Sequence, residues 1–356
     1  MRVTRRARGD GEGERGAVAV FVAISLIAII AFAVLTVDVG GLLYRRRAMV
    51  NASDAAALAA AQSCALTTDT TVPEIEADQN AALNLSGLQP TDGGIIDSSG
   101  CDLAPTGHVT TSYTTTQPLY FGEVIGLGNQ RPVQATATAA WGPTGGATNP
   151  VPVVLNLATF QGNCEIPLPD AAIGQQCYLW YDNDRFVGSN FGFLDLSEWN
   201  VDPASTNCNA GGGSSQLESW IDGNYTGPAL TLNYPNPTYV CTTSGNRQST
   251  WDTLANHIGQ IETFPVNDQT QQITGGGGQT TFFDIVGFAS LRIENIYRAN
   301  QAPPACGPKP NNNSAHCMIV SWQGYQVGGI DPNGGQNLGT LSIRLCDQAI
   351  SPCPDQ

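Results

Sequence analysis

Residues 17–37 read AVAVFVAISLIAIIAFAVLTV, an unbroken run without a single charge. About twenty apolar residues at 1.5 Å rise cross a bilayer core of roughly 30 Å, so the run is long enough for a transmembrane helix. Ser25 and Thr36 are its only polar side chains, and both can bond back to the helix backbone. A second reading is a secretory signal peptide cut after Ala31-Phe32-Ala33, between Ala33 and Val34, behind a basic flank. The apolar run continues past that point with no turn-rich segment after it, which favours a retained anchor.

Outward from the run, charge is partitioned. Arg2, Arg5, Arg6, Arg8 and Arg15 precede it, while Arg45, Arg46 and Arg47 follow. Five against three favours an N-terminus inside and a C-terminus outside. Residues 1–47 carry a net charge of +4 and the remainder −19, within a total of −15. Phosphate binding needs a cationic face, so the acidic body argues against nucleic acid as a partner. Charged residues make up 13% of the chain, and 41% are hydrophobic, enough for a real core. All ten cysteines (64, 101, 164, 177, 208, 241, 306, 317, 346 and 353) lie beyond the span. An even number on one side fits disulfides in an oxidising, exported compartment. The expected location is therefore a cell membrane, crossed once, with a cytoplasmic N-terminus and an extracytoplasmic body.

Asp38 stands just past the apolar run. It reads either as a carboxylate at the watery interface or as one facing a partner. After Gly40-Gly41 comes LLYRRRAMVNASDAAALAAAQ, residues 42–62, rich in alanine and free of glycine and proline. Helix propensity there is high, so 17–62 is expected to form a rod of about 70 Å, loosened or bent at the glycine pair.

The ordered set Arg15-Gly16-Ala17-Val18-Ala19-Val20, Val37-Asp38-Val39-Gly40, Tyr44-Arg45-Arg46-Arg47 and Asn51-Ala52-Ser53-Asp54-Ala55-Ala56-Ala57-Leu58-Ala59 resembles the N-terminal module of TadG-like Flp (tight-adherence) pilus-assembly proteins. The resemblance covers 16–62. It implies a single-pass envelope protein that takes part in building a tight-adherence pilus. Gly16, Asp38, Gly40, Asn51 and Asp54 would be the motif residues. Its implied partners are the lipid bilayer and other pilus-assembly membrane proteins or pilin-like subunits. Two departures stand out. Related pseudopilins carry glutamate at the fifth position after the cleavage glycine, where this chain has Phe21, so cleavage at Gly16-Ala17 stays open. Asp97-Ser98-Ser99-Gly100 does not fit the metal-binding Asp-x-Ser-x-Ser motif of larger members, so that domain is not carried over.

Between the stem and residue 145 a small α+β, pilin-like region is expected. Pro73 to Leu85 reads as a short helix, with proline at its start and Gly87 as its stop. Gln89 to Gly107 is turn-rich. Val109–Thr116 and Arg131–Trp141 read as strands, and Pro118–Leu127 as a helical turn or two. Gly142 to Pro152 is a linker by composition. Beyond it short apolar strands are expected at 151–157, 177–181, 229–233, 238–241, 282–293, 318–322 and 341–345. In the last, Leu341, Ile343 and Leu345 point inward, with Ser342 and Arg344 outward. Two helices interrupt them, Ser214–Ile221 and Trp251–Ile261, the latter with Trp251, Leu254, Ile258 and Ile261 on one buried face. The expected fold class is thus α+β and membrane-anchored: a cytoplasmic Arg-rich tail (1–16), the transmembrane helix and stem (17–62), the small layer (63–145) and a β-rich, disulfide-stapled domain (146–356).

Ten cysteines allow 945 pairings, so spacing alone does not derive the connectivity. Pairs of sequence neighbours (64–101, 164–177, 208–241, 306–317, 346–353) are expected because each closes a turn-rich stretch. No Cys-x-x-Cys occurs and His108, His257 and His316 stand alone, so neither metal nor cofactor is expected. His316 beside Cys317 would suit a Cys-His nucleophile only if the thiol were free. Gly188-Ser189-Asn190-Phe191-Gly192 misplaces serine for a nucleophile elbow. Asp182-Asn183-Asp184 starts like a calcium loop but continues Arg-Phe-Val. Gly275–Gly278 reads as a hairpin or loop, not a phosphate cradle. The expectation is a non-enzymatic scaffold or minor surface subunit. The alternative is an anchored binding or adhesion module unrelated to pili, with Trp180, Tyr181, Phe191, Phe193, Trp199 and Trp220 lining a ligand surface.

Overall fold

In a computed structural model, the described residues are 12–67, 69, 71–85, 92–102, 106–126, 128–158, 174–181, 191–206, 208, 214–233, 235–243, 248–275, 278–308, 314–327, 330–332, 334–336, 338 and 340–346. Helix α1, Glu12–Leu66, is continuous over 55 residues, or about 80 Å. Gly40 and Gly41 do not interrupt it. Val18 to Phe32 lies bare on all sides among the described residues. Among the described residues one helix is thus long and apolar enough to cross a membrane, with a mean hydropathy of 3.1 over an 18-residue window. The upper half buries one stripe, Met49, Ala52, Ser53, Ala56, Ala57, Ala60, Ala61 and Cys64, at the three- and four-residue spacing of a helix face. Small side chains on that stripe let other elements come close to the helix.

Two elements cover the stripe. Helix α2, Val72–Asn84, contributes Ala77 and Ala81. The other is a sheet of β1 (Asp92–Ser99), β2 (Gly107–Pro118), β3 (Gln130–Ala147), β14 (Leu341–Leu345) and β12 (Tyr325–Val327), paired in that order. Val109 and Tyr113 of β2, Ala135, Ala139 and Trp141 of β3, and Leu341 and Ile343 of β14 belong to the same core as the helix stripe. Their period of two puts them on one face of the sheet. The far end of β3 also pairs with β7 (Leu230–Thr231) and β13 (Ile330–Pro332).

The second sheet comprises β4 (Val153–Asn156), β5 (Gln176–Tyr181), β6 (Phe191–Trp199), β8 (Tyr239–Thr242), β9 (Ile261–Gly275), β10 (Gly278–Arg298) and β11 (His316–Trp322). Its order is β5-β11-β10-β8-β6-β4-β9, and a further pairing of β9 with β10 closes part of it into a ring. Helices α3 (Ser214–Ile221) and α4 (Gln248–Ala255) add Leu217, Trp220, Ile221, Trp251 and Leu254 to its core. Among these, Tyr181, Phe193 and Trp251 form a cluster with ring centroids 5.3–5.7 Å apart.

Several expectations need correction. Residues 142–147 are not linker: they continue β3 and are buried throughout, because β7, β13 and β14 supply partners for their backbone. Part of the turn-rich stretch, 92–99, is strand β1, an exposed edge held by its ladder to β2 rather than by side-chain burial. Helix α4 ends at Ala255, and Gly259 turns the chain at φ +87°, leaving Ile258 and Ile261 exposed. Ser342 is fully buried rather than outward, with its Oγ donating to the Gly142 carbonyl at 3.5 Å. Strands β6 and β9 arise where no strand was expected.

Three disulfides join Cys64 to Cys101, Cys208 to Cys241 and Cys306 to Cys317. Cys177 and Cys346 are also disulfide-bonded, while Cys164 and Cys353 lie outside the described residues. The Cys306 bond occupies the sulfur that a Cys317 nucleophile would need. Residues 182–184 and 188–190 lie outside the described residues, so the calcium-loop and serine-elbow strings receive no structural account.

Candidate functional site at the foot of the stem

The motif residues divide by helix face. Asp38 starts the covered side. It is 9% exposed, and its carboxylate accepts hydrogen bonds from the backbone N–H groups of Tyr120 (2.9 Å) and Phe121 (3.1 Å). Both belong to the connection between β2 and β3, just before a 3-10 turn at Gly122–Ile125. An anionic acceptor on two amides is a charge-assisted arrangement, stronger than neutral pairs. Asp38 therefore bonds its own chain, through two backbone amides of the β2–β3 connection.

Above Asp38 the same side continues to engage the sheet. A Cβ on Gly41 would lie 2.8 Å from Gln117 Nε2, the movable end of a β2 side chain that reaches over this part of the helix. Arg45 donates to the Thr116 carbonyl and, at 3.3 Å, to Thr115 Oγ1. Ser53 Oγ donates to the Ala135 carbonyl at 3.0 Å, and Thr111 Oγ1 donates to the Ser53 carbonyl at 3.0 Å. Those last two bonds satisfy a buried hydroxyl pair where the helix backbone meets the sheet. Asp54 is half-buried, and burial pushes its carboxyl above the ordinary carboxylate value. Tyr113 donates to Asp78 Oδ1 at 2.9 Å, tying β2 to α2. Burial first, then the Asp78 and Glu74 carboxylates, push its phenol well above the ordinary value.

The opposite face is bare. Gly40, Tyr44, Arg47 and Asn51 are all exposed, at spacings of four, three and four that align them on one side of the helix. A Cβ on Gly40 would meet nothing within 4 Å. Gly16 lies within α1. The structure thus turns Asp38 toward the chain's own body and Gly40 and Asn51 away from it, while half-buried Asp54, three residues after Asn51, lies near their side of the helix. Missing from the sequence reading were the partners of Asp38, some eighty residues downstream. No local signal marks a backbone amide as an acceptor's target; the apolar stretch Leu119–Leu127 was the one hint.

The aromatic residues are mostly core. Tyr181, Phe193 and Trp220 are buried. Half-buried Trp180 donates through Nε1 to the Cys306 carbonyl. Trp199 donates to the Thr231 carbonyl at 3.0 Å and stacks on Phe288. Trp199, Trp220 and Tyr225 also line an open surface cleft of about 490 Å³ with Asn200, Gln216 and Asn224. Among the described residues no group of His, Cys, Asp and Glu is arranged to hold a metal.

Comparison with known proteins bears on the stem alone. Residues 16–63 match the TadE/G-like Flp pilus-assembly family. No curated protein and no solved structure matches the chain.

Proposed function

We propose that the chain is a non-enzymatic, single-pass envelope protein of a Flp/Tad-type pilus-assembly system. Its N-terminal module, 16–63, is of the pilus-assembly type. In this reading the bare apolar half of α1 sits in the lipid bilayer, the N-terminus is cytoplasmic and both sheets face outward. The stem's exposed stripe of Gly40, Tyr44, Arg47 and Asn51 contacts assembly proteins or pilin-like subunits. The body serves as a scaffold or minor surface subunit. In the proposed division into tail (1–16), stem (17–62), pilin-like layer (63–145) and β-rich domain (146–356), β3 runs on to Ala147 and β7, β12, β13 and β14 cross the last boundary to pair in the first sheet.

The observation that carries the reading is the family match on a helix whose motif residues are only half accounted for by contacts within the chain. Asp38 and Ser53 have partners on the sheet, whereas Gly40 and Asn51 face away from it. Shearing cells, separating filaments from washed membranes and reading the mass and N-terminus of the protein in each fraction tests it. Presence in either fraction with an intact N-terminus, or one trimmed at Gly16-Ala17, supports the reading. Absence from both, or a start at Val34, sinks it.

The surface cleft beside Trp199 favours one alternative, an anchored binding module unrelated to pili. Substituting Tyr225, on the cleft wall, separates the two: lost adhesion with intact pili would favour the alternative.

A further inference from the structure

Leu119 to Gly128 reads LYFGEVIGLG, an apolar sequence with one charge at the tip of an otherwise threonine-rich pair of strands. Leu119 tucks in, 7% exposed, and its N–H bonds the Asn129 carbonyl at 2.8 Å, closing the loop at its base. Tyr120 is 73% exposed and Phe121 37%. Tyr120 finds little cover among the described residues, and Phe121 is only partly covered. Their height on the molecule is set, because Asp38 holds the backbone of both. Asp38 is the first residue after the 17–37 run, so the tip lies level with the upper end of the apolar segment. Val37 and Val39 beside it are also exposed, at 52% and 42%, so the apolar surface of the helix continues across to the loop.

A bilayer's interfacial layer is roughly 5–7 Å thick on each side of its hydrocarbon, and aromatic rings concentrate there. From these placements we infer that the Tyr120-Phe121 tip is a second membrane contact, seated in the interfacial layer of the leaflet from which the stem emerges. The span and the loop then hold the body at two points, fixing its tilt and its rotation about the helix. The occupant is phospholipid, argued from continuity with the span. Glu123, exposed on the same turn, remains on the wet side. The inference rests on the membrane-anchored reading above.

The full chain, reconstituted in phosphatidylcholine/phosphatidylglycerol vesicles, is irradiated with a phospholipid carrying a diazirine near its headgroup or, in parallel, at its chain end. Adducts are mapped by pepsin digestion and mass spectrometry. The shallow probe should label both the 119–128 peptide and the upper end of the span, and the deep probe the span alone. Tyr120→Ser/Phe121→Ser should lose the loop adducts and keep the span adducts, since Asp38 binds backbone and not these side chains. Span adducts without loop adducts in the wild type overturn the inference and leave the anchor standing. Absence of both overturns the anchor reading as well. In native membranes, span adducts retained without loop adducts show that something other than lipid covers the tip and overturn the lipid contact.

Discussion

Asp38 shows how one side chain can decide where a whole layer sits. Replacing it with alanine strips two part-buried amides of their carboxylate acceptor, and hydrogen bonds to charged groups are worth about 1.5–3 kcal/mol. Asp38→Ala is therefore expected to lower stability by about that amount and to speed hydrogen exchange at Tyr120 and Phe121 first. Unchanged exchange there would contradict the clamp. His316 carries a pH signature. It is 5% exposed and stacked on Trp251 with centroids 4.4 Å apart. Burial holds its pKa below 6.5, assisted by Arg298 and opposed in part by the Ser314 backbone and Asp252. Below about pH 6.5 the unfolded chain takes up a proton that the folded ring refuses. Stability from this residue is complete above that pH and declines as pH falls toward the lower folded value. Urea midpoints at pH 7.5 and 5.0 should show that decline in the wild type and less of it in His316→Phe.

At the scale of elements, the stem works as a rail. Its alanine stripe brings α2 and the first sheet close, and the Cys64–Cys101 disulfide pins its upper end across 37 residues. Closing a loop of that length is worth about 3–4 kcal/mol in the chain-entropy account. Cys64→Ser/Cys101→Ser should therefore lose about that much in thermal or urea unfolding, without loss of helix in far-UV dichroism. Sequence carried this far for physical reasons. Long apolar and alanine-rich runs declare a helix by themselves, and strict alternation at 133–139 declares a half-buried strand. β1 did not announce itself because an edge strand with little burial lacks alternation, and 142–147 did not because glycine and proline mimic a linker when partner strands are out of view. Helix α4 was overextended because Ile258 and Ile261 keep the right spacing beyond the turn at Gly259. The foot of the stem was half legible: Asp38 stood out as a charge beyond the apolar run, but its partners depend on tertiary placement alone.

For the whole molecule, the notable contact joins the ends of the fold. β14 sets Ile343 opposite Trp141, and Thr144 N–H bonds the Thr340 carbonyl at 3.2 Å across 196 positions. Ile343 is 3% exposed in the core shared with the stem. Ile343→Asp buries a carboxylate there, a change expected to cost about 3 kcal/mol or more. Hydrogen exchange should show protection lost along β3 and the stem stripe, far earlier in the chain. If only the residues beside 343 respond, the first sheet and the stem do not unfold as one cooperative unit. Force adds a further consequence. Under the proposed anchoring, a pull on the body would run parallel to the helix. It loads the contacts from Asp38 to Cys64 in shear along about 40 Å, not one after another as in peeling. Beyond them stands a covalent bond, so the joint between anchor and body yields to tension last at its upper end.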